Sequence, residues 1–224
     1  MPLPVVNDIL TNPNPSSLTP AAHNHPPVTG GNDHFGAKTG NLTKLGNTFT
    51  ISGTGAANYW FIPAAPNTVS YCTVPCGAGP HAYVISTQYG GCEYHELYNA
   101  AQNMLAFLHV YRGDGAVTQY APAAGWVVRS VKRSSAIAQA NINLATGFPQ
   151  GSNWSVSRIN RANATVQSKF INVNSNTLVV TGEDNGDAPY PAPVHIPAPA
   201  PVHIPAPVHN PGGIRRKFKQ LFHI

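Results

Sequence analysis

From residue 36 onward, short apolar and aromatic runs alternate with polar residues and are broken by Gly, Pro and Asn, the signature of strands joined by turns. Residues 47–53 (NTFTISG) and 58–62 (NYWFI) are the first two such runs. Residues 83–89 and 92–98 are the next, and 99–103 is a turn. Residues 104–112 form a returning strand that closes on Gly113-Asp114-Gly115. Residues 125–133 (GWVVRSVKR) alternate Val with basic side chains. Residues 153–160 and 165–173 form a hairpin about RANA, and 177–181 (TLVVT) is the closing strand. A short helix is expected at 134–145, started by Ser134 and stopped near Gly147.

The segment 82–112 admits two readings. As strands, alternation puts Leu105, Phe107, His109 and Tyr111 on one face, and Cys92, Tyr94 and Glu96 on one face of the partner. As a helix over 93–111, Tyr94, Leu97, Tyr98, Ala101, Leu105 and Leu108 recur at helical spacing. Cys92 then opens the helix, where the dipole lowers a thiol pKa, but His109 is too far along the axis to serve it. The β-prone Phe, Val and Tyr and the two Asn-bearing breaks favour the strands.

Composition divides the chain. Only 9% of its 224 residues are charged, while 22 are proline and 20 glycine, which suits a folded middle between segments that bury little apolar surface. Residues 1–35, rich in Pro, Asn, Thr, Ser and His (His23, His25, His34), are expected to be a flexible leader. Residues 36–187 are the folded domain. Residues 188–212 repeat PAPVHIP, carrying His195, His203 and His209, and proline at that density favours an extended polyproline-II linker. At 213–224, Ile214, Phe218, Leu221 and Phe222 fall at i, i+4, i+7 and i+8, with Arg215, Arg216, Lys217 and Lys219 mostly around the other side. Such a tail suits an anionic membrane surface; a disordered basic end is the alternative. No specific nucleic acid is expected.

No apolar run reaches membrane-span length, and the start has neither a basic n-region nor an apolar h-region, so no general secretory signal is expected. With three cysteines, at least one thiol has no internal disulfide partner. Cys72 and Cys76, with His81 and His95, have spacing compatible with zinc, but small buried thiols beside a proline turn are the favoured reading. Arg129, Lys132, Arg133, Arg158, Arg161 and Lys169 form either a rim for an acidic partner or a solvated face, the latter preferred.

The candidate chemistry lies in ISTQYGGCEYH and LAFLHVYR. Cys92 supplies a nucleophile behind Gly90 and Gly91, which allow close backbone approach. His109 can share its proton, and Ser86 or a main-chain carbonyl can fix the imidazole tautomer. The bland alternative is an inert core thiol and a satisfied core histidine.

Those residues resemble the centre of the glutamine deamidase toxins, the cytotoxic necrotizing factor and Burkholderia lethal factor group, and of the chemoreceptor deamidase CheD. Their pattern of Ser/Thr, a Gly-Cys some six residues on, and a later histidine falls here on Ser86, Gly91-Cys92 and His109, with Tyr89-Gly90-Gly91 where many relatives carry Leu-Ser-Gly. The resemblance implies a β-sandwich-like α/β fold and a cofactor-free thioester mechanism that deamidates, or with an amine transamidates, a glutamine on a host protein such as a small GTPase. It also implies a virulence effector acting in the host cytoplasm. Two other classes remain open: a papain-like cysteine hydrolase, and a non-enzymatic β-rich binding module on a proline-rich stalk.

Overall fold

The computed structural model describes residues 1–22, 24–29, 33–34, 36–113, 116–133 and 151–184. These build two sheets that share one apolar layer. The larger sheet contains β1 (Ile9–Leu10), β2 (Thr19–Pro20), β5 (Lys38–Leu45), β6 (Thr48–Ser52), β7 (Tyr59–Ile62), β9 (Ala82–Ser86), β16 (Gly151–Asn160), β17 (Thr165–Asn174) and β18 (Val180–Asp184). Its order is β1-β6-β5-β7-β9-β16-β17-β18, with β2 added on β5. The pairs β1–β6 and β7–β9 are parallel. The two ends of this path meet: Asn7 N–H donates to Val180 O at 2.9 Å, and Val180 N–H donates to Asp8 O at 2.8 Å. The sheet therefore curls into a nearly closed, barrel-like form.

The second sheet runs β15-β10-β11-β8-β4. Its members are β4 (Asp33–His34), β8 (Val69–Pro75), β10 (Glu93–Asn99), β11 (Met104–Val110) and β15 (Trp126–Arg133). Two small ribbons complete the described residues. β3 (Val28–Thr29) pairs with β14 (Ala121–Pro122), and β12 (Arg112–Gly113) pairs with β13 (Ala116–Val117).

Period-two alternation sorts the side chains into three apolar groups. Tyr59, Phe61, Tyr83, Ile85, Trp154, Val156 and Ile171 point into the barrel. Their neighbours Trp60, Ile62, Ala82, Val84, Ile159 and Phe170 point outward and meet Cys72, Val74, Tyr94, Leu105 and Phe107 of the second sheet. That sheet's other face carries Tyr71, Leu97, Ala106, Leu108 and Trp126 beneath Val28. β7, β9 and β11 are thus buried on both faces, as their unbroken burial shows.

Strand, not helix, is the outcome for 93–111. β10 and β11 pair from Glu93↔Val110 to Asn99↔Met104, around a turn in which Gln102 N–H donates to Asn99 Oδ1 at 3.0 Å and Asn103 has φ 49°. The apparent helical period came from a strand buried on both sides, which leaves no alternation to read. The hairpin about RANA is also present, as β16 and β17.

Two expectations are corrected. The α/β class gives way to an all-β architecture, with no helix among the described residues; the helix expected at 134–145 lies outside them. Residues 1–35 are not simply an arm: β1 adds to the barrel, and Leu10 and Leu18 are buried in its core. Apolar residues spaced between prolines, too sparse to show a period, are enough to pin short edge strands. The repeat at 188–212 and the tail at 213–224 lie outside the described residues.

Truncating the shared layer should be far costlier than truncating the surface. Phe107→Ala, at a fully buried site, is expected to lose about 3–5 kcal/mol. Leu45→Ala, at a side chain 87% exposed, should stay within about 0.5 kcal/mol. Urea midpoints measured on both variants check the assignment.

Candidate functional site

Ser86 ends β9 of the barrel, His109 lies in β11 of the second sheet, and Cys92 immediately precedes β10. All three are buried, at 0%, 1% and 6% exposure. They come together because both sheets turn the relevant face into the shared layer. Ser86 follows Ala82 and Val84 on the outward face of β9, and His109 follows Leu105 and Phe107 on the inward face of β11. Tyr94 pairs with His109 across the strands. Cys92, two residues before Tyr94, packs in the same layer, diagonal to His109, where side chains of neighbouring strands come within reach.

The imidazole is held from one side. Ser86 Oγ lies 2.8 Å from Ile62 O and 2.9 Å from His109 Nδ1. A carbonyl can only accept, so the single hydroxyl proton goes to Ile62 O, and the Ser86 oxygen accepts from Nδ1–H. The Nε2 lone pair is therefore the free basic position. Nε2 is buried and has no hydrogen-bond partner among the described residues, so in this resting arrangement it is not hydrogen-bonded to the Cys92 thiol. Burial lowers the His109 pKa from 6.5 to about 3, which keeps the ring neutral at physiological pH.

Tyr89, not singled out from the sequence, completes the enclosure. Its ring stacks on His109 at 4.1 Å between centroids and 20° between planes, and meets Phe170 edge-on at 5.2 Å. Its main chain is tied to Asn153 in both directions: Tyr89 N–H donates to Asn153 O at 3.1 Å, and Asn153 Nδ2 donates to Tyr89 O at 3.2 Å. Ser155 Oγ donates to the Tyr89 hydroxyl at 3.2 Å. An aromatic residue three before the cysteine was the available signal, and only its stacking on His109 makes it informative.

Between Tyr89 and Cys92 the chain reaches the surface. Gly90 is exposed and Gly91 half-buried. Gly91 has φ +130°, a conformation that side chains rarely adopt, and a Cβ added at either glycine would meet nothing within 4 Å. The buried Cys92 thus follows directly on a short segment that reaches the surface.

A second polar bridge crosses the layer nearby. Tyr94 Oη lies 2.5 Å from Ser157 Oγ, which lies 2.7 Å from Ser168 Oγ; Ser168 Oγ donates to Glu96. Because the chain ends on a carboxylate, each hydroxyl donates toward Glu96.

The other sequence candidates do not converge. Cys72 is fully buried in the shared layer, where burial raises its pKa strongly. Cys76 follows the far end of β8. His81 Nδ1 lies 3.2 Å from Ile159 O, and His95 points to the opposite face of β10, where it meets Glu93 and Tyr120. No group of three or more potential metal ligands occurs among the described residues. The basic residues are committed separately: Arg129 to Ala164 O, Lys132 to Ser168 O, Arg161 to Pro75 O, Arg158 to Gln167, Arg133 to Glu93 and Lys169 to Glu183. His23, His195, His203, His209 and the tail residues Ile214 to Phe222 lie outside the described residues.

The neutral buried imidazole has a consequence for stability. An unfolded chain binds the His109 proton below pH 6.5, whereas the folded chain resists it down to about pH 3. Folding stability should therefore fall on acidification through that window, by about 2 kcal/mol between pH 7 and pH 5. His109→Gln should flatten this slope above pH 4.5. Glu93, whose pKa is lowered from 4.5, loses its contribution only below that. Urea titrations at pH 7, 6 and 5 on both proteins measure the difference.

No protein-family model, curated protein or solved structure matches this chain.

Proposed function

We propose that the chain is a cysteine–histidine amidohydrolase that deamidates a glutamine side chain on another protein, with Cys92 as nucleophile, His109 as general base and acid, and Ser86 as its orienting partner. The observation carrying this reading is the Ser86–His109 hydrogen bond. It leaves Nε2 as the basic nitrogen on the face that Cys92 shares.

Nε2 takes the Sγ proton as sulfur attacks the carboxamide carbon. The tetrahedral oxyanion is held by backbone N–H groups, that of Cys92 among them. Collapse breaks the C–N bond, and ammonia leaves with the Nε2 proton. Water then attacks the thioester, giving its proton to Nε2. The C–S bond breaks, and the thiol recovers its proton as glutamate is released. A primary amine in place of water gives transamidation. Because Nε2 and the thiol are not hydrogen-bonded at rest, substrate binding at the Gly90-Gly91 loop has to bring them together.

On this reading, the resemblance of 82–112 to the deamidase toxins supports an effector that acts on host proteins, small GTPases included. The basic tail at 213–224 would hold it at an anionic membrane. Deleting 213–224 is expected to abolish pelleting with phosphatidylserine vesicles; unchanged pelleting removes the membrane role.

Incubation with host cell extract should yield Gln-to-Glu conversions, seen as mass increases of about one dalton. Cys92→Ala should abolish them. His109→Ala should slow them by roughly 10²–10⁴-fold, and Ser86→Ala by about tenfold or more. The acid limb of the rate should fall well below pH 6.5, since His109 stays neutral down to about pH 3. The complete burial of all three groups favours the second reading, an inert β-rich binding module. Absence of conversions, together with Cys92 alkylation at pH 6 no faster than free cysteine, decides for it.

A further inference from the structure

The face of β10 opposite the site carries a second cluster of ionisable groups. Glu93 is 3% exposed and His95 2%. Glu93 Oε2 accepts from His95 Nε2 at 2.9 Å, and Glu93 Oε1 accepts from Arg133 Nε at 3.3 Å and from its terminal nitrogen at 3.2 Å. Arg112 lies 4.0 Å from the same oxygen. His95 Nδ1 lies 2.7 Å from the Tyr120 hydroxyl. Burial would raise the Glu93 pKa, but the hydrogen bond and charge of His95 and the charge of Arg133 outweigh it, and the net shift is downward. The carboxylate is thus ionised and accepts three hydrogen bonds, with the Arg112 charge close by.

Placement gives the cluster its meaning. Glu93 is bonded directly to Cys92 along the chain. It pairs with Val110 of β11 on one side and Arg133 of β15 on the other. Its carboxylate is gripped from β10 itself, from β15 and from the residue that opens β12. On the other side of Cys92 stand Gly90 and Gly91, the latter in a left-handed conformation over open space. The cysteine therefore joins a clamped strand end to a permissive loop. The two backbone ladders set the register of this strand end, and the carboxylate ties it further through hydrogen bonds to His95 and Arg133.

We propose that Glu93, gripped by His95, Arg133 and Arg112 and backed by Tyr120, is a positioning residue that holds Cys92 at the end of the loop in register with His109. The proposal rests on Cys92 being the nucleophile, so its test includes a readout independent of turnover. Cys76 supplies an internal reference. It is a partly buried thiol beyond Pro75, and Pro75 pairs with Met104 at the opposite end of the sheet from Glu93.

The experiment is site-resolved iodoacetamide labelling of the full chain, read as the ratio of Cys92 to Cys76 alkylation rates, beside deamidation kinetics and thermal melting. Glu93→Gln should raise the ratio about tenfold as Cys92 swings outward, and lower kcat about tenfold with KM within about twofold. Arg133→Gln should do the same, and the double variant should add little to either. A ratio unchanged in Glu93→Gln, with only the melting temperature lowered, overturns the proposal in favour of a structural ion cluster. If Glu93→Gln does not fold, Tyr120→Phe is read instead: a ratio raised about threefold supports the clamp, and an unchanged ratio overturns it. Wild-type protein without deamidation would sink the proposed activity, while the labelling ratio still decides the clamp.

Discussion

The dry layer between the barrel and the second sheet imposes the constraint on which the arrangement depends. A polar group placed there costs free energy unless it is paired. The chain meets this with hydroxyl bridges that run from one sheet to the other and end on a group that can only accept. Ser86 passes its proton to Ile62 O and receives the His109 Nδ1–H. Tyr94, Ser157 and Ser168 pass theirs to Glu96. Such one-way chains leave little freedom in tautomer or rotamer, and they fix the two sheets in register with each other. Against that background two atoms of the layer stand out: His109 Nε2 and, on the residue paired with it across the strands, Ser70 Oγ are both buried without a hydrogen-bond partner among the described residues.

β10 separates two kinds of polar chemistry. Toward the barrel, Cys92, Tyr94 and Glu96 enter the layer that holds His109. Toward the opposite face, Glu93 and His95 form an ionic cluster with Arg133, Arg112 and Tyr120. A strand with one face in solvent could not do this, because water would screen the ions. Here both faces are covered, so both networks act at short range in a poorly screened setting.

What could be read in the sequence follows from which signals are local. The strands at 47–53, 58–62 and 125–133 and the hairpin about RANA lie within a residue or two of β6, β7, β15, β16 and β17, because each carries its own turn residues. Alternation also put Cys92 and Tyr94 on one strand face and His109 on one face of the partner strand; Ser86, six residues before Cys92, was one of two candidates for fixing the imidazole, a main-chain carbonyl being the other. The closing of the barrel by residues 1–10 was not legible, since it depends on backbone pairing of Asn7 and Asp8 with Val180, far apart in the chain. The helical alternative for 93–111 arose because Leu97 and Tyr94 are buried on opposite faces. The roles of Tyr89 and Glu93 were hidden for another reason. A ring stack and a multi-strand ion cluster are tertiary facts with no period.

The two buried thiols of the shared layer show why position outweighs residue type. Cys72 sits mid-strand in β8, fully enclosed, and burial alone raises its pKa strongly; it faces no opening through which a carbonyl could arrive. Cys92 is buried almost as fully, but its N-terminal neighbours are two glycines over open space, and its layer supplies a neutral base. Exposing Cys72 would require breaking β8 from β11, a central pairing of seven residue pairs. Cys92 instead follows the exposed Gly90 and half-buried Gly91, with Tyr89 tied to Asn153 on one side and Glu93 to Arg133 on the other. The two thiols thus differ in setting rather than in type: one lies mid-strand between paired strands, the other where an exposed turn enters a strand.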